Sequence, residues 1–288
     1  MSQTAPNKAT RRSRPPRPLA GRAKRRHAVA RWVDERQAQL RYVFSTTELI
    51  SLGLSTRALY AALERLQTAK RIIPVGRGHG LWAIVPLEHQ TAGAPPVDWI
   101  LSDLMTALDV PYYVGLRSAA AWYGATHHAL QVLQVVTSKR LRPITLGRQR
   151  IRFVLKADTA ATPVQPLLGG VTELLYSTPE ATAIDLVKYR ANAGGLNTVA
   201  GTLAQIVDKC TPNGMTGALD AAKNTPTAQR LGYLWSRLGA DDLAASVASW
   251  LNDHPSRVVH LDETSAREGL EIDPTWKLII DSPVDFSL

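Results

Sequence analysis

Residues 44–85 read FSTTELISLGLSTRALYAALERLQTAKRIIPVGRGHGLWAIV, and the order of signals in this stretch sets the expected fold of the first third of the chain. Thr46 or Thr47 can cap a short helix through Glu48, Leu49 and Ile50, after which Gly53 supplies the permissive backbone of a tight turn. Ser55 is a candidate cap for a longer helix, STRALYAALERLQTAK, in which Leu59, Leu63 and Leu66 recur at i, i+4 and i+7 and so share one inward face. After Lys70 the pattern changes to two short β-prone runs, RIIPVG and GLWAIV, joined by a glycine-rich turn. Upstream, Val29, Trp32, Val33, Arg36 and Leu40 fall at helical spacing between Ala28 and Arg41. Two helices, a glycine turn, a third helix and a hairpin predict a winged helix-turn-helix over residues 28–90.

With the leucines inward, Arg57, Tyr60, Ala61, Glu64 and Arg65 lie toward the opposite side, where an inserted helix meets the major groove of a duplex. Arg57 is the candidate base reader, because a guanidinium can bind guanine bidentately. Ser55 and Thr56, at the leading end, suit phosphate contacts. The hairpin tip GRGHG lacks a P-loop lysine and joins two strands, so it is no nucleotide-binding loop. Arg71, Arg77 and His79 are placed around a wing that touches phosphates or the minor groove, against the plainer alternative of a surface hairpin.

Charge supports this division. The chain of 288 residues carries a net +10, but residues 1–27 hold nine Lys or Arg and no acid, residues 28–90 are +3, and residues 91–288 are −2. Positive charge is thus concentrated in the N-terminal segment and the first domain, as expected of the parts that approach a polyanion. Pro15, Pro16 and Pro18 break any amphipathic transit helix, so residues 1–27 read as a basic disordered arm. No apolar run is long enough to span a membrane, and one cysteine excludes an internal disulfide framework, which points to a soluble, cytoplasmic protein.

EHQTAGAPPVD marks a linker near residues 88–97, and a second domain is expected over 97–288. It opens with a helix from about Asp98 to Leu108, a β-prone PYYVG and a small-residue helix SAAAWYG. The strands QVLQVVTS and RIRFVL follow, and helices dominate from residue 179, with Thr178 and Pro179 as cap and first helical residue. The expected fold class is α+β: an N-terminal winged helix-turn-helix followed by a mixed α/β domain with a helix-rich second half.

The winged segment ending GHGLWAIV, then YYVGLRSAAAWYG, VLQVVTSK, RIRFV, TPEATAIDLVKY with GGLNTVA, QRLGYLWSRLG and the final LDETSAREGLEIDPTWKLI together resemble the AbiEi family of type IV antitoxins. The resemblance covers roughly residues 40–280. It implies a non-enzymatic protein whose winged helix binds inverted repeats in double-stranded DNA beside its own promoter. It further implies a C-terminal domain that neutralises a nucleotidyltransferase-like toxin. The basic arm departs from the family pattern in length and arginine content.

Outside the winged segment, Lys139, Arg140, Arg142, Arg148, Arg150 and Arg152 cluster without an acid among them. On a hairpin Arg148, Arg150 and Arg152 would share one face. This second basic patch can be a second DNA contact, a dock for an acidic or RNA partner, or a solvated strand face. YYVGLRSAAAWYG resembles the start of a nucleotidyltransferase core, yet QVLQVVTS carries none of the carboxylates that two-metal phosphoryl transfer needs. No catalytic residue, metal site or cofactor is therefore expected. Adjacent His127 and His128 point apart and make a poor metal pair. Cys210 reads as a helix-end thiol; Trp122, Tyr123, Trp235 and Trp250 as core; and Gln229 and Arg230 as candidate partner contacts. The competing reading is a protein-interaction module with a non-specific nucleic-acid-binding basic tail.

Overall fold

The computed structural model describes residues 27–76, 78, 80–125, 131–262 and 270–286. It is a mixed α+β structure with three sheets. The first unit runs α1 (Ala28–Ala38), β1 (Val43–Ser45), a 3-10 helix (Glu48–Leu52), α2 (Thr56–Thr68), β2 (Ile72–Val75) and β3 (Leu81–Ile84). The strands form an antiparallel sheet in the order β1-β3-β2. Helix α1 stops at Ala38, short of Arg41, and the chain leaves it through Leu40 at φ 58°.

Thr47 stands at the N-cap position of the 3-10 helix, but its side chain makes no capping bond. Ser45 and Glu48 cap it reciprocally: the Glu48 amide donates to Ser45 Oγ at 3.3 Å and the Ser45 amide to Glu48 Oε1 at 2.8 Å. Thr46 ties the helix to the hairpin instead, accepting from Trp82 Nε1 and donating to the Gly80 carbonyl, both at 3.1 Å. Gly53 then turns the chain at φ 63°, and Ser55 Oγ accepts the Ala58 amide at the start of α2.

Helix α3 (Val97–Leu108) lies between this unit and the main sheet. One apolar cluster extends from Val29 and Leu63 through Ile100 and Leu104 to Val135 and Tyr176, so the two halves share a core across residues 88–97. Asp103 on α3 pins the junction. Its Oδ2 accepts the amides of Tyr42 (2.9 Å) and Val43 (3.3 Å), and its Oδ1 lies 3.6 Å from Arg41 Nε. Trp99 packs between the rings of Tyr42 and His89.

The main sheet has six strands: β4 (Tyr112–Val114), β5 (Val132–Thr137), β6 (Ile144–Leu146), β7 (Gln149–Leu155), β8 (Val164–Gly169) and β9 (Thr172–Ser177). Their spatial order is β6-β7-β5-β4-β9-β8, with β5-β7 and β4-β9 parallel and the other pairs antiparallel. One face packs on α3. The other packs on α4 (Leu116–Trp122) and α5 (Pro179–Lys188), behind which lie α6 (Arg190–Ala193), α7 (Leu196–Ile206), α8 (Pro212–Ala222), α9 (Thr225–Arg237) and α10 (Asp241–Asn252). A small sheet of β10 (Val259–His260), β11 (Ile272–Asp273) and β12 (Leu278–Ile279) closes the chain.

Two expectations about side chains are overturned here. Gln229 and Arg230 are buried rather than offered to a partner. Gln229 Nε2 donates to the carbonyls of Arg257 and Trp276, and Arg230 Nε to those of His260 and Leu261, which fastens the small sheet to α9. Trp122 is not core: it is 47% exposed and lies against the Tyr176 ring. Trp235 and Trp250 are buried as expected, and Tyr123 is half-buried.

Candidate nucleic-acid interface

The apolar stripe of α2 fixes what the helix presents. Leu59, Ala62, Leu63 and Leu66 are buried, which leaves Thr56, Arg57, Tyr60, Glu64 and Arg65 exposed on the outer side, with Tyr60 at 56% exposure. Ala61 is only partly exposed. Among the described residues neither Arg57 nor Arg65 is held in an ion pair, so both guanidinium groups are available to an incoming anion. The Ser55 hydroxyl accepts the Ala58 amide and keeps its own proton to donate, which suits a phosphate oxygen. The first turn of α2 thus gathers Ser55, Thr56 and Arg57.

Arg36 stabilises this arrangement from behind. Its Nη2 donates to the Val43 carbonyl at 2.9 Å and pairs with Glu48 Oε2 at 3.0 Å, while its guanidinium stacks over Trp32. Arg71 lies at the base of the β2–β3 hairpin rather than at its tip. It is bound to Asp34 of α1, and its carbonyl accepts the Val85 amide, so it braces the hairpin against the first helix. Arg77 and His79 lie outside the described residues. The glycines around them, Gly76, Gly78 and Gly80, all have positive φ, which explains why the tip is glycine-rich.

The second basic group is spread over one edge of the main sheet. Arg150 and Arg152 are exposed on one face of β7, opposite Val132 and Gln134 of β5. Arg148 departs from the expected shared face because it sits on the two-residue turn with Gly147, between β6 and β7. Lys139, Arg140 and Arg142 are exposed on the connection from β5 to β6, and Lys139 Nζ donates to the Asp109 carbonyl. His127 and His128 lie outside the described residues.

Beneath the sheet is a polar group that sequence reasoning did not find. Lys156 Nζ donates to Asp185 Oδ1 at 2.9 Å and to Tyr113 Oη at 3.1 Å, and Tyr113 Oη donates to Asp185 Oδ2 at 2.6 Å. Both charged side chains are buried. Burial, then the charge of Asp185, raises the Tyr113 phenol above its ordinary range. A lone charge, Asp185, inside the run ATAIDLV was the available signal, since a buried charge needs a partner. Burial and then the charge of Glu180 push the half-buried Cys210 thiol up to about 12, which disfavours the thiolate. Among the described residues, no group of His, Cys, Asp or Glu is arranged to hold a metal ion, and no helix is long and apolar enough to cross a membrane.

Fold and surface together define a protein in which a small unit with an exposed cationic helix is fused, through a shared core, to a mixed sheet backed by helices. Residues 113–237 match the family of the AbiEi antitoxin C-terminal domain. The matched segment runs from Tyr113 on β4 to the end of α9 and contains Lys156 and Asp185. That family is regulatory rather than enzymatic, and the domain supports an antitoxin role in a toxin–antitoxin pair. Among solved structures, the crystal structure of the RV2827C protein from Mycobacterium tuberculosis is similar in fold. It has a TM-score of 0.60 at 18% identity and covers 87% of this chain and 90% of that one. No curated protein matches the chain.

Proposed function

We propose that the chain is a DNA-binding antitoxin that represses its own operon. In this reading residues 28–90 form a winged helix that reads inverted repeats in double-stranded DNA, and residues 97–288 neutralise a nucleotidyltransferase-like toxin. The observation that carries it is the order helix, strand, short helix, helix, hairpin on a β1-β3-β2 sheet, with the outer face of α2 free and cationic. This is the order in which a winged helix exposes its recognition helix.

Arg57 is the base reader, with Tyr60 and Arg65 along the same face. Ser55 and Thr56 contact phosphate, and Arg77 and His79 contact it from the wing, while Arg71 acts indirectly by holding the hairpin. The basic segment 1–27 adds sequence-independent phosphate contacts. Toxin neutralisation belongs to the AbiEi domain. A mobility-shift titration of the native upstream duplex with Arg57→Ala is the test: base preference should relax. Unchanged affinity and unchanged preference would show that α2 does not enter the groove.

A further inference from the structure

Strand β7 is longer than the strand that covers its outer side. β6 pairs with it only through Ile144↔Ile151, Thr145↔Arg150 and Leu146↔Gln149, whereas β5 runs beside it from Arg150 to Leu155. The ladder fixes which way the main-chain groups point. The Arg150 amide donates to the Gln131 carbonyl at 2.9 Å and the Lys156 amide to the Thr137 carbonyl at 3.0 Å, so even-numbered residues of β7 bond β5 and odd-numbered ones turn outward. Ile151 is taken by Ile144. Phe153 and Leu155 present N–H and C=O groups to a side where, among the described residues, no strand lies.

The connection from β5 to β6, residues 138–143, passes this edge without pairing to it. A cleft of about 410 Å³ lies between, lined by Arg140, Leu141, Phe153, Leu155, Tyr189 and Asn192. Leu155 is 44% exposed. Arg140 lines this cleft, Arg142 is exposed on the same connection and Arg152 is exposed on β7 beside Phe153, with no acid between Lys139 and Arg152. Such charge repels the same edge of a second copy and favours an acidic occupant. A DNA backbone offers only acceptors and leaves the outward carbonyls unpaired. An extended peptide supplies both donors and acceptors.

We propose that this open edge docks an extended acidic segment of a partner protein, which adds as a strand beside Phe153–Leu155 and sets its carboxylates against Arg140, Arg142 and Arg152. The proposal rests on the antitoxin reading of the C-terminal unit, whose partner is a protein. It does not rest on DNA binding by the winged helix, so the mobility-shift result and the one below fail separately.

The test uses the full chain and a fluorescein-labelled octapeptide of alternating Glu and Val, read by fluorescence anisotropy. The same peptide with every amide N-methylated keeps its charge and loses its donors; it should bind at least tenfold more weakly. Leu155→Pro removes an outward N–H without touching the β5 ladder, and should weaken the unmodified peptide at least tenfold. Should that variant fail to fold, Arg140→Glu with Arg142→Glu, on an exposed connection, should abolish binding. Equal affinity for the two peptides, or no binding of either, overturns the proposal. So does displacement of the peptide by an oligothymidylate of equal charge at equal concentration, which would mark a general polyanion site.

Discussion

Replacing Lys156 with Met tests the buried polar group. At the 2.9 Å separation of Lys156 Nζ and Asp185 Oδ1, an effective dielectric of about 20 gives an attraction of roughly 6 kcal/mol, offset largely by the desolvation of both charges. The intact pair therefore adds little net stability. Removing only the lysine strands a carboxylate with no exposed surface and leaves the Tyr113 hydroxyl as its side-chain hydrogen-bond donor among the described residues, which costs about 3–5 kcal/mol. At roughly 2–4 °C per kcal/mol, the midpoint of a thermal melt followed by circular dichroism should fall by about 6–20 °C. Adding Asp185→Leu removes the stranded charge and should recover about 2 kcal/mol of that loss; the remaining cost of about 1–3 kcal/mol reflects the lost acceptor of the Tyr113 hydroxyl. If Lys156→Met melts within about 2 °C of the parent, or the double variant is as unstable as the single, the stranded-charge reasoning is wrong.

Three other outcomes follow from the same structure. Asp103→Ala removes the acceptor of two amides and the partner of Arg41, so it should cost about 2–4 kcal/mol and open the region around Tyr42 to hydrogen exchange; unchanged protection there would contradict the pinning role. Ser55→Ala removes the α2 cap and should cost about 1 kcal/mol in a urea melt, a value that an unaltered midpoint would exclude. Cys210 has a folded value of about 12 against an ordinary 9, so its contribution to stability is complete below pH 9 and is lost as pH rises toward 12. At pH 8 it should resist a thiol reagent until urea unfolds the chain, and labelling of the native protein at the unfolded rate would disprove its burial.

Much of the first unit was legible because periodicity and turn chemistry agreed. The leucines of α2 at i, i+4 and i+7, Gly53 at a left-handed position and the glycine-rich tip each signal the same arrangement. β1 was missed because three residues carry too little alternation to register, and its place is set by pairing with β3 across the sheet. The hairpin of β8 and β9 was missed for another reason. Pro166 argues against a strand except at an edge, and only the completed strand order shows β8 to be one.

The site was legible as composition but not as geometry. The exposure of Arg57 and Arg65 followed from the leucine stripe, whereas the binding of Arg71 to Asp34 joins residues 37 apart and leaves no local trace. Gln229 and Arg230 misled for the same reason: polar residues at a helix start resemble a surface until a distant sheet folds over them. The placement of Arg148 turned on one position, the boundary between a turn and a strand.

Sequence-specific DNA binding by the first unit is tested by titrating the purified full chain against its own upstream duplex and a scrambled duplex at near-physiological salt, with and without residues 1–27. Preference for the native duplex is expected in both forms, with a shallower salt dependence when the basic segment is removed. Equal binding to both duplexes, lost on removing that segment, would contradict that expectation.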